Sequence, residues 1–139
     1  MGKSFHRSIL PFFKDKIFPH CKKIQTINDI SNKDYCIFEI IRTEGLSQFK
    51  VIFSDAYLFT KNDYYELLNE GLIQQGDFIL IARPESNYNN DLLEQIYNDG
   101  FYIGKTGFLV KFLKNSTDYI KTYVKDEIAK INEANAGKR

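Results

Sequence analysis

The chain has 139 residues, of which 43% are hydrophobic, 27% charged and 15% aromatic. That suffices for one domain, residues 1–139, with a single core and no disulfide or metal staples, and no apolar run approaches the roughly 18 residues of a membrane helix. Net charge is +1, but residues 1–25 carry +5, residues 26–100 carry −8 and residues 101–139 carry +4. Basic ends suit phosphates and an acidic middle suits a divalent cation; lysines solvated on helix faces account for the same pattern.

The start, MGKSFHRS, has no apolar core or small-residue cleavage site of a signal peptide, and His6 stands where myristoylation wants Ser or Thr. Cys21 and Cys36 are therefore expected as reduced, buried thiols of a cytoplasmic protein.

Residues 6–18, HRSILPFFKDKIF, have the apolar spacing of a helix, with Pro11 near its start or a kink and Pro19 ending it. A short strand is predicted over residues 22–27 and a polar loop, NDISNKD, after it. YCIFEIIRT (35–43) and QFKVIFSD (48–55) are two strands of a hairpin around Gly45. A two-residue turn at Glu44–Gly45 sets Glu39 opposite Lys50 and Gln48 opposite Ile41. Phe38, Ile40, Phe49, Val51 and Phe53 then share the other face.

Thr60 is the predicted N-cap of a helix over residues 60–72, with Asp63 at its third position and Gly71 near its end. GDFILIARPE (76–85) is a near-continuous apolar strand. NNDLLEQIYNDG (89–100) is a helix capped by Asn89 or Asn90 and stopped by Gly100. FYIG (101–104) is a short strand, and residues 108 to about 133 are helical with a break at Asn115–Ser116. The order α-β-β-β-α-β followed by α-β-α predicts a three-layer α/β sandwich. Its sheet is mixed: antiparallel at the hairpin and parallel in the second half.

From residue 6 to about residue 83 this succession resembles the restriction-endonuclease-like, PD-(D/E)XK, nuclease core. Glu39 matches that family's first acid, and Gln48–Phe49–Lys50 matches its Gln-x-Lys variant. No Pro-Asp pair precedes Glu39, and the family's usual first acid is Asp. The resemblance implies Mg²⁺ held by Glu39 and Gln48, with Lys50 stabilising charge during phosphodiester hydrolysis. It also implies DNA as substrate, with Lys14, Lys16, Lys22 and Lys23 on its backbone, and a homodimer. A plain cross-strand Glu39–Lys50 ion pair, worth about 0.2–1 kcal/mol, explains the same residues.

Two other functions stay open: a non-catalytic protein- or nucleic-acid-binding module, and a site for a small anionic ligand. The second would use Asp55, Arg83, Glu85 and Lys105, which follow predicted parallel strands where α/β sheets bind ligands. GFYIGKTG (100–107) falls short of a phosphate-binding loop, because three residues rather than four separate Gly100 from Gly104. His6, His20, Cys21 and Cys36 lack the paired spacing of a zinc site. The wealth of Asn, Lys and Ile points to an AT-rich genome, such as that of a low-GC bacterium, a mobile element or a phage.

Overall fold

The computed structural model describes residues 15–16, 19, 21–31, 35–43, 46, 48–54, 58–81, 87–88 and 90–137. The helix expected over residues 6–18 lies outside them, save for Asp15 and Lys16. In chain order the elements are β1 (Ile24–Asp29), β2 (Ile37–Arg42), β3 (Phe49–Ser54), β4 (Leu58–Phe59) and α1 (Lys61–Asn69). There follow β5 (Phe78–Ile81), β6 (Asn87–Tyr88), α2 (Asn90–Asn98), β7 (Tyr102–Gly104), α3 (Thr106–Lys114) and α4 (Thr117–Gly137).

Five strands form one mixed sheet in the order β1-β2-β3-β5-β7. β1, β2 and β3 pair antiparallel, and β5 and β7 extend the sheet parallel to β3. The predicted hairpin register is the observed one, with Phe38 against Val51, Glu39 against Lys50 and Ile40 against Phe49. Parallel neighbours need a crossover rather than a tight turn, and α1 and α2 lie in the two crossovers. Both crossovers advance along the sheet in the same direction, so a common hand sets both helices on the same face.

Each face of the sheet carries its own core. On one, Phe38, Ile40, Phe49, Val51, Phe53, Phe78 and Leu80 pack against Leu109, Phe112 and Leu113 of α3 and Ile120 and Val124 of α4. On the other, Ile37, Ile52, Ile79, Ile81 and Ile103 pack against Tyr64 and Leu67 of α1 and Leu92 and Ile96 of α2. Alternation of side chains assigns the two sets, and burial of both faces explains why these strands read as nearly unbroken apolar runs. Cys21 and Cys36 are buried in the α3–α4 core.

β1 runs two residues beyond its predicted end, into the stretch taken for loop. A register shift between Ile24 and Thr26 puts an extra residue into it. Ile24 and Ile27, three residues apart, thereby reach the same core, which strict alternation forbids and a bulge allows.

The helix ends follow their sequence signals. Thr60 Oγ1 accepts from the Asp63 amide at 3.3 Å, and Asp63 Oδ2 accepts from the Thr60 amide at 2.8 Å, the reciprocal bonds of a capping box. Gly71 and Gly100, at φ +68° and +96°, end α1 and α2. There the Leu72 amide returns to the Leu67 carbonyl and the Phe101 amide to the Ile96 carbonyl, at 3.1 and 3.0 Å. Such left-handed endings favour glycine, which has no Cβ to clash. Beside the main sheet, β4 and β6 make a two-stranded parallel ribbon that two-residue segments do not announce in sequence.

Candidate functional site

Glu39 and Lys50 are direct cross-strand neighbours on the face that carries α1 and α2. Ile37 and Ile52, on that same face, are buried, whereas Glu39 and Lys50 are half-buried and Thr26 and Asn28 of β1 are exposed. The helix layer thus leaves a polar strip of β1, β2 and β3 in contact with solvent. Asn28 Nδ2 donates to Glu39 Oε1 at 3.1 Å, as expected for residues paired across β1 and β2.

Lys50 pairs its charge with Asp77. Its ammonium stands 3.3 Å from Asp77 Oδ2, and its backbone amide donates to Asp77 Oδ1 at 2.9 Å. Asp77 Oδ2 also accepts from the Gln74 amide at 2.8 Å. Asp77 is 5% exposed and immediately precedes β5, so this pair sits at the amino ends of the parallel strands. The ion pair expected between Glu39 and Lys50 is corrected accordingly: Lys50 pairs with a carboxylate from the neighbouring parallel strand. Gly76–Asp77 reads in sequence only as the start of an apolar strand.

The third member of the expected set, Gln48, is exposed and stands just ahead of β3. Among the described residues no group of three His, Cys, Asp or Glu side chains is arranged to hold a metal ion. Both Asp77 oxygens are engaged and Glu39 Oε1 accepts from Asn28. Among the described residues of this strip, carboxylate capacity for a cation therefore rests on Glu39. Mg²⁺ takes such a site only when waters and substrate phosphate complete its six ligands.

Of the lysines expected on DNA, Lys14 lies outside the described residues, Lys16 and Lys22 are exposed, and Lys23 is half-buried. The Lys23 carbonyl accepts from the Thr43 amide at 2.8 Å and from Thr43 Oγ1 at 3.3 Å, which ties the start of β1 to the end of β2. Next to Thr43, Arg42 is 4% exposed. Its Nη1 donates to the Phe112 carbonyl at 2.9 Å and to the Asn115 carbonyl at 3.0 Å. Its guanidinium lies 5.2 Å from the Phe49 ring centre and 5.6 Å from that of Phe112. Arg42 thus adds a donor to carbonyls at the α3 C-terminus, where a helix runs short of its own; the Phe112 carbonyl also accepts from the Asn115 amide at 3.5 Å. Nothing in the local sequence marks it, because its partners lie about 70 residues away.

Asp55, Arg83 and Glu85 of the alternative ligand site lie outside the described residues. Lys105 is described: it occupies the N-cap of α3, just past β7, without a side-chain capping bond. Gly104, before it, makes room for an aromatic ring, since a Cβ there would come within 2.5 Å of Phe108 Cδ2. This glycine answers to the packing of Phe108, in keeping with the rejection of a phosphate-binding loop.

Comparison with protein-family models, with curated proteins and with solved structures finds no match for this chain.

Proposed function

We propose that this chain is a DNA-binding domain of nuclease descent that holds duplex DNA without cutting it. Descent is supported by the order of the sheet, an antiparallel β1-β2-β3 followed by β5 parallel to β3. It is supported also by Glu39 and Lys50 at paired positions on a solvent-facing strip. The observation that favours binding over hydrolysis is the Lys50–Asp77 pair. It neutralises the ammonium that a hydrolytic site needs for developing negative charge, and among the described residues of the strip leaves Glu39 as the carboxylate for a metal.

A second reading, metal-dependent phosphodiester hydrolysis, draws on the register itself. Mg²⁺ would be held by Glu39, with Gln48 beside it, and when bound would polarise the phosphate and acidify a water. Lys50 would serve it only by leaving Asp77 when a phosphate arrives.

The deciding experiment incubates the chain with labelled linear, nicked and branched DNA in Mg²⁺ or Mn²⁺, and measures binding in parallel by fluorescence anisotropy. Salt-sensitive binding with intact DNA is the expected result. Cleavage that disappears in Lys50→Ala and Glu39→Gln but persists in Arg83→Ala moves the conclusion to hydrolysis. Absence of binding at low salt overturns both, and a melting temperature raised by small anions instead would favour the Asp55, Arg83, Glu85 and Lys105 site.

A further inference from the structure

The sequence separates its basic residues into two ends; the fold brings parts of those ends together. The Cys21 carbonyl accepts from the Ile24 amide at 3.1 Å, closing a turn that presents Lys22 and Lys23 at the start of β1. Through Thr43 this turn is bonded to the end of β2, and through Arg42 that end is bonded to the C-terminal turn of α3. Lys114 is the last residue of α3 and is exposed, as is Lys22. Cys21 packs in one core with Phe112 and Leu113, and the positive charge of Lys114 partly offsets the rise that burial imposes on the Cys21 thiol pKa.

A helix C-terminus carries about half a negative charge on its unsatisfied carbonyls, which repels phosphate. Here Arg42 neutralises it from beneath, so the lysines above are not opposed by the helix end. The opposite layer has the reverse character: α1 and α2 with their closing turns carry Asp63, Glu66, Glu70, Asp91, Glu94 and Asp99 against Lys61 alone. A polyanion meets attraction at one side of the molecule and repulsion at the other, which orients it on approach.

We infer that Lys22, Lys23 and Lys114 form one phosphate-contacting surface where β1 begins, β2 ends and α3 ends, and that duplex DNA is the polyanion it takes. This deepens the DNA-binding reading and rests on it. The linear spacing of phosphates along a duplex suits lysines spread over two elements better than a single small anion does. Arg42 and Thr43, at the end of β2, tie these two elements together, Arg42 to α3 and Thr43 to the turn before β1.

The test measures anisotropy of a fluorescein-labelled duplex of arbitrary sequence at several salt concentrations, with phosphatidylserine vesicles as a separate arm. Lys22→Ala and Lys114→Ala are each expected to weaken binding by roughly three- to fivefold. Each should also reduce the slope of log affinity against log salt by about 1, the signature of one lost phosphate contact. Lys61→Ala, on the acidic layer, should leave the slope unchanged, and thermal melting of each variant checks that the fold is intact. If the wild-type chain binds DNA and both variants keep its slope, the inference falls while the binding reading stands. If the wild-type chain ignores DNA, the binding reading itself falls, and vesicle binding in its place would assign the lysines to an acidic membrane surface.

Discussion

Lys50 and Asp77 meet twice, once through the lysine backbone amide at 2.9 Å and once through its ammonium at 3.3 Å. The first contact fixes the loop before β5 against β3, and the second neutralises a carboxylate that is 5% exposed. Truncating Asp77 strands the Lys50 and Gln74 amides. Asp77→Ala is therefore expected to lower stability by about 2–4 kcal/mol in urea unfolding. Lys50→Met, which leaves Asp77 its two amide donors, should lose only about 1 kcal/mol. Equal losses from the two variants would mean that the ammonium, not the amide bonds, dominates the contact.

Arg42 is buried among aromatic rings because its charge answers the carbonyls of the α3 C-terminus. In Arg42→Met the rings keep an apolar neighbour of similar length, but the Phe112 and Asn115 carbonyls lose the guanidinium donor, and Phe112 keeps only the longer bond from the Asn115 amide at 3.5 Å. About 2–3 kcal/mol of stability should go with it, accompanied by faster amide exchange in the last turn of α3. Arg42→Lys keeps the charge without the planar fork and should recover only part of the loss.

Burial, then the hydrogen bond from its hydroxyl to Asp99 Oδ2 at 2.7 Å and the charge of that carboxylate, push the Tyr64 phenol far above its ordinary 10.0. Below about pH 10 Tyr64 is protonated in both the folded and unfolded chain, and its contribution is complete. Above that pH the unfolded chain gives up the proton first and binds fewer protons than the native state, so stability falls as pH rises. Tyr102 and Tyr123, raised mainly by burial, act in the same direction. Tyr64→Phe should lose about 1 kcal/mol at neutral pH yet show a shallower alkaline decline, as read from unfolding curves at stepped pH. An unchanged alkaline slope would remove Tyr64 as a source of that decline.

Gly104, which ends β7, and Gly107, in the first turn of α3, should respond oppositely to alanine. At Gly104 the new methyl meets Phe108 Cδ2 at 2.5 Å and Phe108 Cβ at 3.0 Å. The Phe108 ring has little freedom to withdraw, being stacked on Tyr123 at 5.5 Å and set against Phe78 at 5.4 Å. Overpacking there should destabilise by about 1–3 kcal/mol. At Gly107, exposed and with nothing within 4 Å of the added Cβ, alanine should stabilise by about 0.5–1 kcal/mol through better helix propensity. Thermal melts of the two single variants check both signs.

Much of the fold is legible in the residues that carry it. Thr60 and Asp63 announce α1, Gly71 and Gly100 end two helices, and the paired apolar alternation of residues 37–42 and 49–54 gives the hairpin its register. Each is a local property, set by side-chain hydrophobicity and backbone preference over a few positions, and therefore visible without coordinates. β4 and β6 are not visible in this way, since two residues are too few to establish a period. The bulge in β1 also hides, because it breaks the alternation by which strands are recognised.

The candidate site divides along the same line. Sequence alone determined that Glu39 and Lys50 face each other, because a tight antiparallel hairpin leaves one register that buries Phe38, Ile40, Phe49 and Val51 together. Only the tertiary structure decided which carboxylate Lys50 takes, since Asp77 reaches it through parallel pairing of β3 with β5 across 27 residues. The same holds for Lys22 and Lys114, which join one surface because Arg42 bonds the end of β2 to the end of α3. Local periodicity specifies a strand and its faces; which distant charges become neighbours depends on how the crossovers order the strands, and no short stretch of chain contains that information.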